Sequence, residues 1–245
     1  MKIEQTIRVL LVDDHAIVRQ GLRAVLQTAP DIEVIGEAEN GRQAVSEAMR
    51  LQPDVVLLDL AMPLLNGVEA ARQIARKVPA ARVLILSSYT DDEHLRQAVE
   101  AGAAGYLMKE TGVDDLLETV RGLHNGEARF SPPLLNHLSK AWRQGPGADV
   151  AATKSTVQLS ERQAEVLQLI AEGYCTKQIA DVLSLGAKTV EKHRQSLMDK
   201  LNLHRIAALT RHAVSTGLVE SNREPDWAVQ PSRTHPRASK KALMM

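Results

Sequence analysis

The sequence predicts a doubly wound, five-stranded parallel α/β domain followed by a small all-α domain. Three observations carry that expectation. Between Ile7 and Asn125, short apolar runs alternate with longer amphipathic stretches, the strand and helix alternation of a parallel sheet covered on both faces. A stretch with Pro132-Pro133 and Gly145-Pro146-Gly147 then breaks the pattern. From Ser160 to about Gly217 only helical periodicity appears.

The five strands read as Ile7 to Asp13, Ile32 to Ala38, Val55 to Asp59, Arg82 to Ser87 and Gly105 to Leu107. Helices follow each, at Ala16 to Gln27, Arg42 to Arg50, Val68 to Lys77, Asp92 to Ala101 and Val113 to His124. Asn40-Gly41 precedes the second helix, and Thr90-Asp91-Asp92-Glu93 has capping-box spacing before the fourth. Gly102 and Gly126 suit helix exits, where a left-handed residue closes the last turn. The domain expectation is therefore 7–125 for the α/β unit, 126–157 for a linker, 158–219 for the helical unit and 220–245 for a loose basic tail. One short helix, Leu134 to Trp142, is expected within the linker.

Composition narrows the functional classes. Hydrophobic residues make up 44% and charged residues 24%, which suits a globular protein, and aromatics at 2% make the cores aliphatic. The net charge of zero hides an asymmetry: residues 1–126 hold 13 Lys/Arg against 19 Asp/Glu, and the remainder holds 17 against 11. An acidic half beside a basic half points to a polyanion met by the second half alone. No signal-peptide core and no apolar run of membrane-spanning length is present, so no membrane association is expected. The single cysteine, Cys175, excludes an intramolecular disulfide and a cysteine-rich zinc site, and fits a cytoplasmic setting. It is expected to be a small, half-buried helix residue.

In an open parallel sheet, ligands collect beyond the carboxyl ends of the strands, where the winding reverses. Polar residues stand there: Asp13-Asp14 after the first strand, Asp59 ending the third, Ser87 ending the fourth and Lys109 after the fifth. Singly these would be capping, terminal or solvated residues. Together they describe an oxygen-rich site for a hard divalent ion such as Mg²⁺. A carboxylate can attack phosphorus to give an acyl phosphate, with Lys109 and Ser87 contacting the equatorial oxygens. His15 follows the acidic pair and is expected as an exposed first-turn residue.

Leu10-Leu11-Val12-Asp13-Asp14-His15, Val55-Val56-Leu57-Leu58-Asp59-Leu60-Ala61-Met62-Pro63 with Asn66-Gly67, Leu84-Ile85-Leu86-Ser87, and Gly105-Tyr106-Leu107-Met108-Lys109 resemble the receiver domains of bacterial response regulators. The resemblance spans about residues 7–125 and implies a flavodoxin-like sheet. It implies Asp59 as phosphoacceptor, Asp13, Asp14 and the Ala61 carbonyl as Mg²⁺ ligands beside Asp59, and Ser87 and Tyr106 as a switch pair. Glu110 stands where many receivers have Pro.

In the helical half, Ser160-Glu161-Arg162-Gln163 forms a capping-box pattern ahead of Ala164, Leu167, Ile170 and Ala171 at helical spacing, ending near Gly173. Thr176 to Leu183 follows, then the turn Ser184-Leu185-Gly186, then Ala187 to Leu201 with Val190, Leu197 and Leu201 inward. Two short helices across such a turn have helix-turn-helix spacing. Lys188, Glu191, Lys192 and Gln195 would then face outward, with Arg194 and Lys177 placed for phosphates. The expected DNA contacts are Lys177, Lys188, Thr189, Lys192, Arg194 and Gln195, with a solvated charged face as the alternative for any one of them. His193 is expected to be packed or hydrogen-bonded.

Leu159-Ser160-Glu161-Arg162-Gln163-Ala164-Glu165-Val166-Leu167, Lys177-Gln178-Ile179-Ala180 and Lys188-Thr189-Val190-Glu191-Lys192-His193-Arg194 resemble the LuxR-type helix-turn-helix. Glu191 stands where many members carry Lys. Together the halves resemble a NarL/FixJ-group regulator. That resemblance implies a sensor histidine kinase and double-stranded DNA as partners, a homodimer on DNA, RNA polymerase as a further partner, and no enzymatic activity beyond self-phosphorylation and its reversal. A constitutive DNA binder whose receiver only docks partners is the rival reading, and a phosphatase on the same sheet is a third.

Overall fold

The computed structural model describes residues 6–88, 92–130 and 159–219. Its first unit runs β1 (Ile7–Val12), α1 (Ala16–Leu26), β2 (Ile32–Ala38), α2 (Gly41–Leu51), β3 (Val55–Asp59), α3 (Gly67–Lys77), β4 (Arg82–Ser87), α4 (Asp92–Glu100), β5 (Gly105–Met108), α5 (Val113–His124) and β6 (Arg129–Phe130). The expected elements are all present, with ends moved by a residue or so.

All neighbouring strands pair in parallel, in the order β2-β1-β3-β4-β5-β6. Among the described residues the sheet therefore has six strands, not the expected five. The addition is a two-residue edge strand, in which Arg129 pairs Gly105 and Phe130 pairs Tyr106. It lies within the expected linker, so the start of that segment belongs to the sheet. Two residues carry no readable period of two, and only the open edge of β5 recruits them.

Strand residues alternate between two aliphatic cores because successive side chains point to opposite faces. Leu10, Val12, Val56, Leu58, Val83 and Ile85 pack with Ala44, Ala48, Ala70, Ile74, Leu95 and Ala98 from α2, α3 and α4. Val9, Leu11, Val55, Leu57 and Leu84 pack with Leu26, Leu116, Val120 and Leu123 from α1 and α5. Burial on both faces explains why the strands read as continuous apolar runs. Asn40 caps α2 by accepting a hydrogen bond from the Gln43 amide at 2.9 Å, and Gly102 and Gly126 close α4 and α5 with positive φ. The Thr90 capping box, the 134–142 helix and the 220–245 tail lie outside the described residues.

The second unit contains α6 (Glu161–Ala171), α7 (Thr176–Leu183), α8 (Ala187–Leu201) and α9 (Ile206–Ser215). Ser160 accepts from the Gln163 amide at 3.3 Å while the Gln163 side chain accepts from the Ser160 amide at 3.0 Å, completing the expected capping box. Val166, Leu167, Leu169, Ile170, Ile179, Leu183, Val190, Leu197 and Leu209 form its core. Ser184 adopts a left-handed conformation and lets α8 cross α7 after a three-residue turn.

The two units touch. Glu165 and Gln168 are buried although helical periodicity places them away from the Leu167 and Ile170 face. One side of α6 packs on its own domain, while Glu165 and Gln168 on the other meet α3 and the loop before it. Gln73 donates to Glu165 at 3.2 Å, Arg76 to Glu161 at 2.8 Å, and Gln97 to the Thr216 carbonyl at 3.4 Å.

Candidate phosphoacceptor site and DNA-facing helix

The strand order reverses between β1 and β3, so their carboxyl ends flank the switch point of the sheet. Asp13 leaves β1 and Asp59 ends β3, at 1% and 5% exposure. Lys109, just beyond β5, reaches across β4's end so that its ammonium lies 2.8 Å from Asp13 Oδ2 and 3.1 Å from Asp59 Oδ1. The backbone amide of Leu60 donates to Asp59 Oδ1 at 2.9 Å, and that of His15 to Asp13 Oδ1 at 2.8 Å. Ser87 and Tyr106 are both fully buried on the neighbouring strands, and the Lys109 amide donates to the Ser87 carbonyl at 2.9 Å. Among the described residues no peptide is cis, so the chain passes from Lys109 to Glu110 through a trans bond.

Burial pushes the Asp59 carboxyl up to about 6, with Asp13 adding to the rise and Lys109 opposing it. Burial also works against the Lys109 ammonium, yet Asp59 and Asp13 outweigh it and hold lysine above its ordinary value. The site thus keeps its cation charged while charging Asp59 is costly. Asp13, Asp14, Asp59 and the His15 ring each offer a ligand atom within 4.8 Å of the others. Three carboxylates in that space are hard oxygen donors, the donor set that suits a small divalent cation. His15 is exposed as expected, but its Nδ1 lies 2.9 Å from Asp14 Oδ1, nearer the carboxylates than its position in the first turn suggested.

The loop from Asp59 to α3 is tightly built. A Cβ at Gly67 would stand 2.1 Å from the Asp59 carbonyl oxygen, so only glycine lets α3 begin this close to β3. Leu64 adopts φ +66, a left-handed conformation that branched or bulky residues rarely take. Its side chain packs against the core of the helical unit.

On the other unit, Lys177, Lys188, Thr189, Glu191, Lys192 and Gln195 are exposed, and His193 and Arg194 are partly buried. Val190 at 1% exposure turns this face of α8 outward. Thr176 donates to Glu191 at 2.7 Å, tying the start of α7 to α8, and Gln195 donates to Asp199 at 2.8 Å. Cys175 is a correction: it is exposed and stands at the N-cap of α7, because the Gly173 turn lifts it off the core before the helix begins. Sequence reasoning also missed Gln168 and Glu172, whose partners lie over a hundred residues away.

Residues 9–121 match the model of the response regulator receiver domain, and residues 157–213 that of the bacterial regulatory proteins of the luxR family. The transcriptional regulatory protein DegU of Brevibacillus brevis is 32% identical, over 89% of this chain and 97% of its own. The response regulator protein VraR of Staphylococcus aureus is 35% identical, over 88% and 100%. A solved structure of two RcsB dimers bound to two parallel DNAs superposes with a TM-score of 0.52 at 25% identity, covering 86% of this chain and 98% of that one.

Proposed function

Because this chain belongs to the NarL/FixJ group of two-component response regulators, in which a receiver precedes a LuxR-type DNA-binding domain, we propose that Asp59 accepts the phosphoryl group that switches it. As a member of that group it is a DNA-binding transcriptional regulator partnered by a histidine kinase. The observation that carries the assignment is the Lys109 ammonium lying between the buried Asp13 and Asp59 carboxylates at the sheet's switch point.

Asp59 is the nucleophile, placed by the end of β3 and by the Leu60 amide. Asp13, Asp14, Asp59 and the Ala61 carbonyl would hold Mg²⁺, which when bound neutralises charge on the transferring phosphoryl group. Lys109 and the Ser87 hydroxyl take the phosphoryl oxygens, and Ser87 and Tyr106 then settle into a second arrangement. On the output side, Lys188, Thr189, Lys192 and Gln195 face the major groove while Lys177 and Arg194 meet phosphates. Two copies reading half-sites about one helical turn apart call for a symmetric homodimer, which agrees with the dimers in the RcsB–DNA structure. RNA polymerase is the downstream partner and the cytoplasm the setting. Among the described residues no helix is long and apolar enough to cross a membrane. Catalysis is confined to the protein's own phosphoryl group.

The test is phosphate incorporation from a small acyl phosphate with Mg²⁺, followed by selection of DNA from a random pool. Wild type takes up phosphate and Asp59→Asn does not, and the phosphorylated form enriches a two-half-site sequence more strongly. Full incorporation into Asp59→Asn would refute the site, and equal enrichment with and without phosphate would favour a constitutive binder.

A further inference from the structure

Asp13 is held at each of its polar atoms. Its amide donates to the Ala38 carbonyl at 3.2 Å, and its carboxylate accepts from the His15 amide at 2.8 Å and the Lys109 ammonium at 2.8 Å. Its main-chain carbonyl accepts from Arg19 Nη1 at 2.6 Å. Arg19 stands in the first turn of α1 with its side chain only 15% exposed. A cation so enclosed needs a carboxylate, and Glu37 near the end of β2 supplies one. Arg19 Nε donates to Glu37 Oε2 at 3.3 Å, while Arg23 Nε donates to Glu37 Oε1 at 2.5 Å. The guanidinium is a rigid planar fork, so anchoring one edge on Glu37 fixes where the other edge points. Here it points at the Asp13 carbonyl.

That carbonyl belongs to the planar peptide joining Asp13 to Asp14, so turning the peptide would swing the two carboxylates relative to each other. We propose that Arg19 is a positioning residue for the metal site: through the Asp13 carbonyl it locks the Asp13-Asp14 peptide so that both carboxylates serve a divalent cation, and Glu37 holds Arg19 in turn. The inference rests on reading Asp13 and Asp14 as Mg²⁺ ligands. Charge alone predicts the opposite sign. A guanidinium beside a cation site repels the metal, so its removal would tighten binding if Arg19 acted through its field. Loss of an outer contact that orients the ligands weakens metal binding by about 10- to 100-fold. Arg23 separates the two effects further, because it shares the Glu37 carboxylate without touching Asp13 in any contact described above.

The experiment titrates the full chain with Mn²⁺, which takes the same oxygen donors, and reads free ion by its paramagnetic resonance signal, with no phosphodonor present. Urea denaturation in EDTA checks that each variant is folded. Arg19→Met should bind Mn²⁺ about tenfold more weakly than wild type, whereas Arg23→Met should bind as wild type does or slightly more tightly. Unchanged or tighter binding by Arg19→Met overturns the proposal, as does an equal loss in Arg23→Met, which would place the effect in the Glu37 pairing as a whole. Wild type supplies a measurement that needs no variant to fold. Because coupling between two sites is reciprocal, Mg²⁺ added to arginine-labelled protein should slow rotation of the Arg19 guanidinium in nuclear magnetic resonance spectra and leave that of Arg23 unaltered. An Arg19 signal that ignores Mg²⁺ also overturns the proposal. Wild-type Mn²⁺ affinity in Asp14→Asn would instead refute the metal site itself, which separates the two failures.

Discussion

Asp59→Asn should stabilise this protein when metal is chelated. Asp59 is 5% exposed, and its carboxyl is pushed from 3.8 to about 6 by burial, with Asp13 contributing. A carboxyl whose folded value exceeds its unfolded value binds more protons in the fold, so stability falls as pH rises between the two values. At 1.36 kcal/mol per pH unit, keeping Asp59 ionised at pH 7 costs the fold about 3 kcal/mol. At pH 4 the group is mostly protonated in the fold, and the cost shrinks to roughly 0.5 kcal/mol. An asparagine keeps the shape without the charge. Urea denaturation in EDTA should therefore give the variant a gain of about 3 kcal/mol at pH 7 that nearly disappears at pH 4. A variant that is neutral or less stable at pH 7, or that gains equally at both pH values, would refute the reasoning about buried charge.

Gly67→Ala places a methyl 2.1 Å from the Asp59 carbonyl oxygen; backbone lies on both sides, so a loss of about 1–3 kcal/mol or more is expected in the urea midpoint. Ser160→Ala removes the oxygen that accepts from Gln163 at the start of α6 and should cost about 1 kcal/mol, read as a lowered melting temperature. Asp31 is held below its ordinary value by the hydrogen-bonded Arg121 guanidinium, at 2.7 and 2.8 Å. Its contribution is therefore present above the unfolded value and lost as pH falls through the folded one. Since Arg121 is substantially exposed, Asp31→Asn should cost under about 1 kcal/mol at pH 7. That difference should shrink in denaturation curves taken at successively lower pH below the ordinary carboxylate value.

How much of this was legible in the sequence followed from how local each signal is. The capping box at Ser160 and Gln163 lies within four residues, and the α7 and α8 boundaries match their expected residues. Burial on both faces makes a parallel strand continuously apolar, so Val55–Asp59 announced itself by composition and its polar end by contrast. The β6 pair was illegible because two residues have no pattern. Glu165 and Gln168 looked like the polar side of an amphipathic helix, since hydrophobic periodicity records which residues are apolar and not what covers the polar ones.

The phosphoacceptor assignment has the same two sources. The sequence by itself determined which residues stand at the strand ends, because a strand's period and its terminating Asp13, Asp59, Ser87 and Lys109 are written in consecutive positions. Only the tertiary structure decided that the Lys109 ammonium bridges Asp13 and Asp59, that burial raises the Asp59 carboxyl, and that Gln168, 102 residues beyond Asn66, holds the loop from Met62 to Asn66. Proximity between distant segments comes from sheet order and domain docking, and neither leaves a period in the chain.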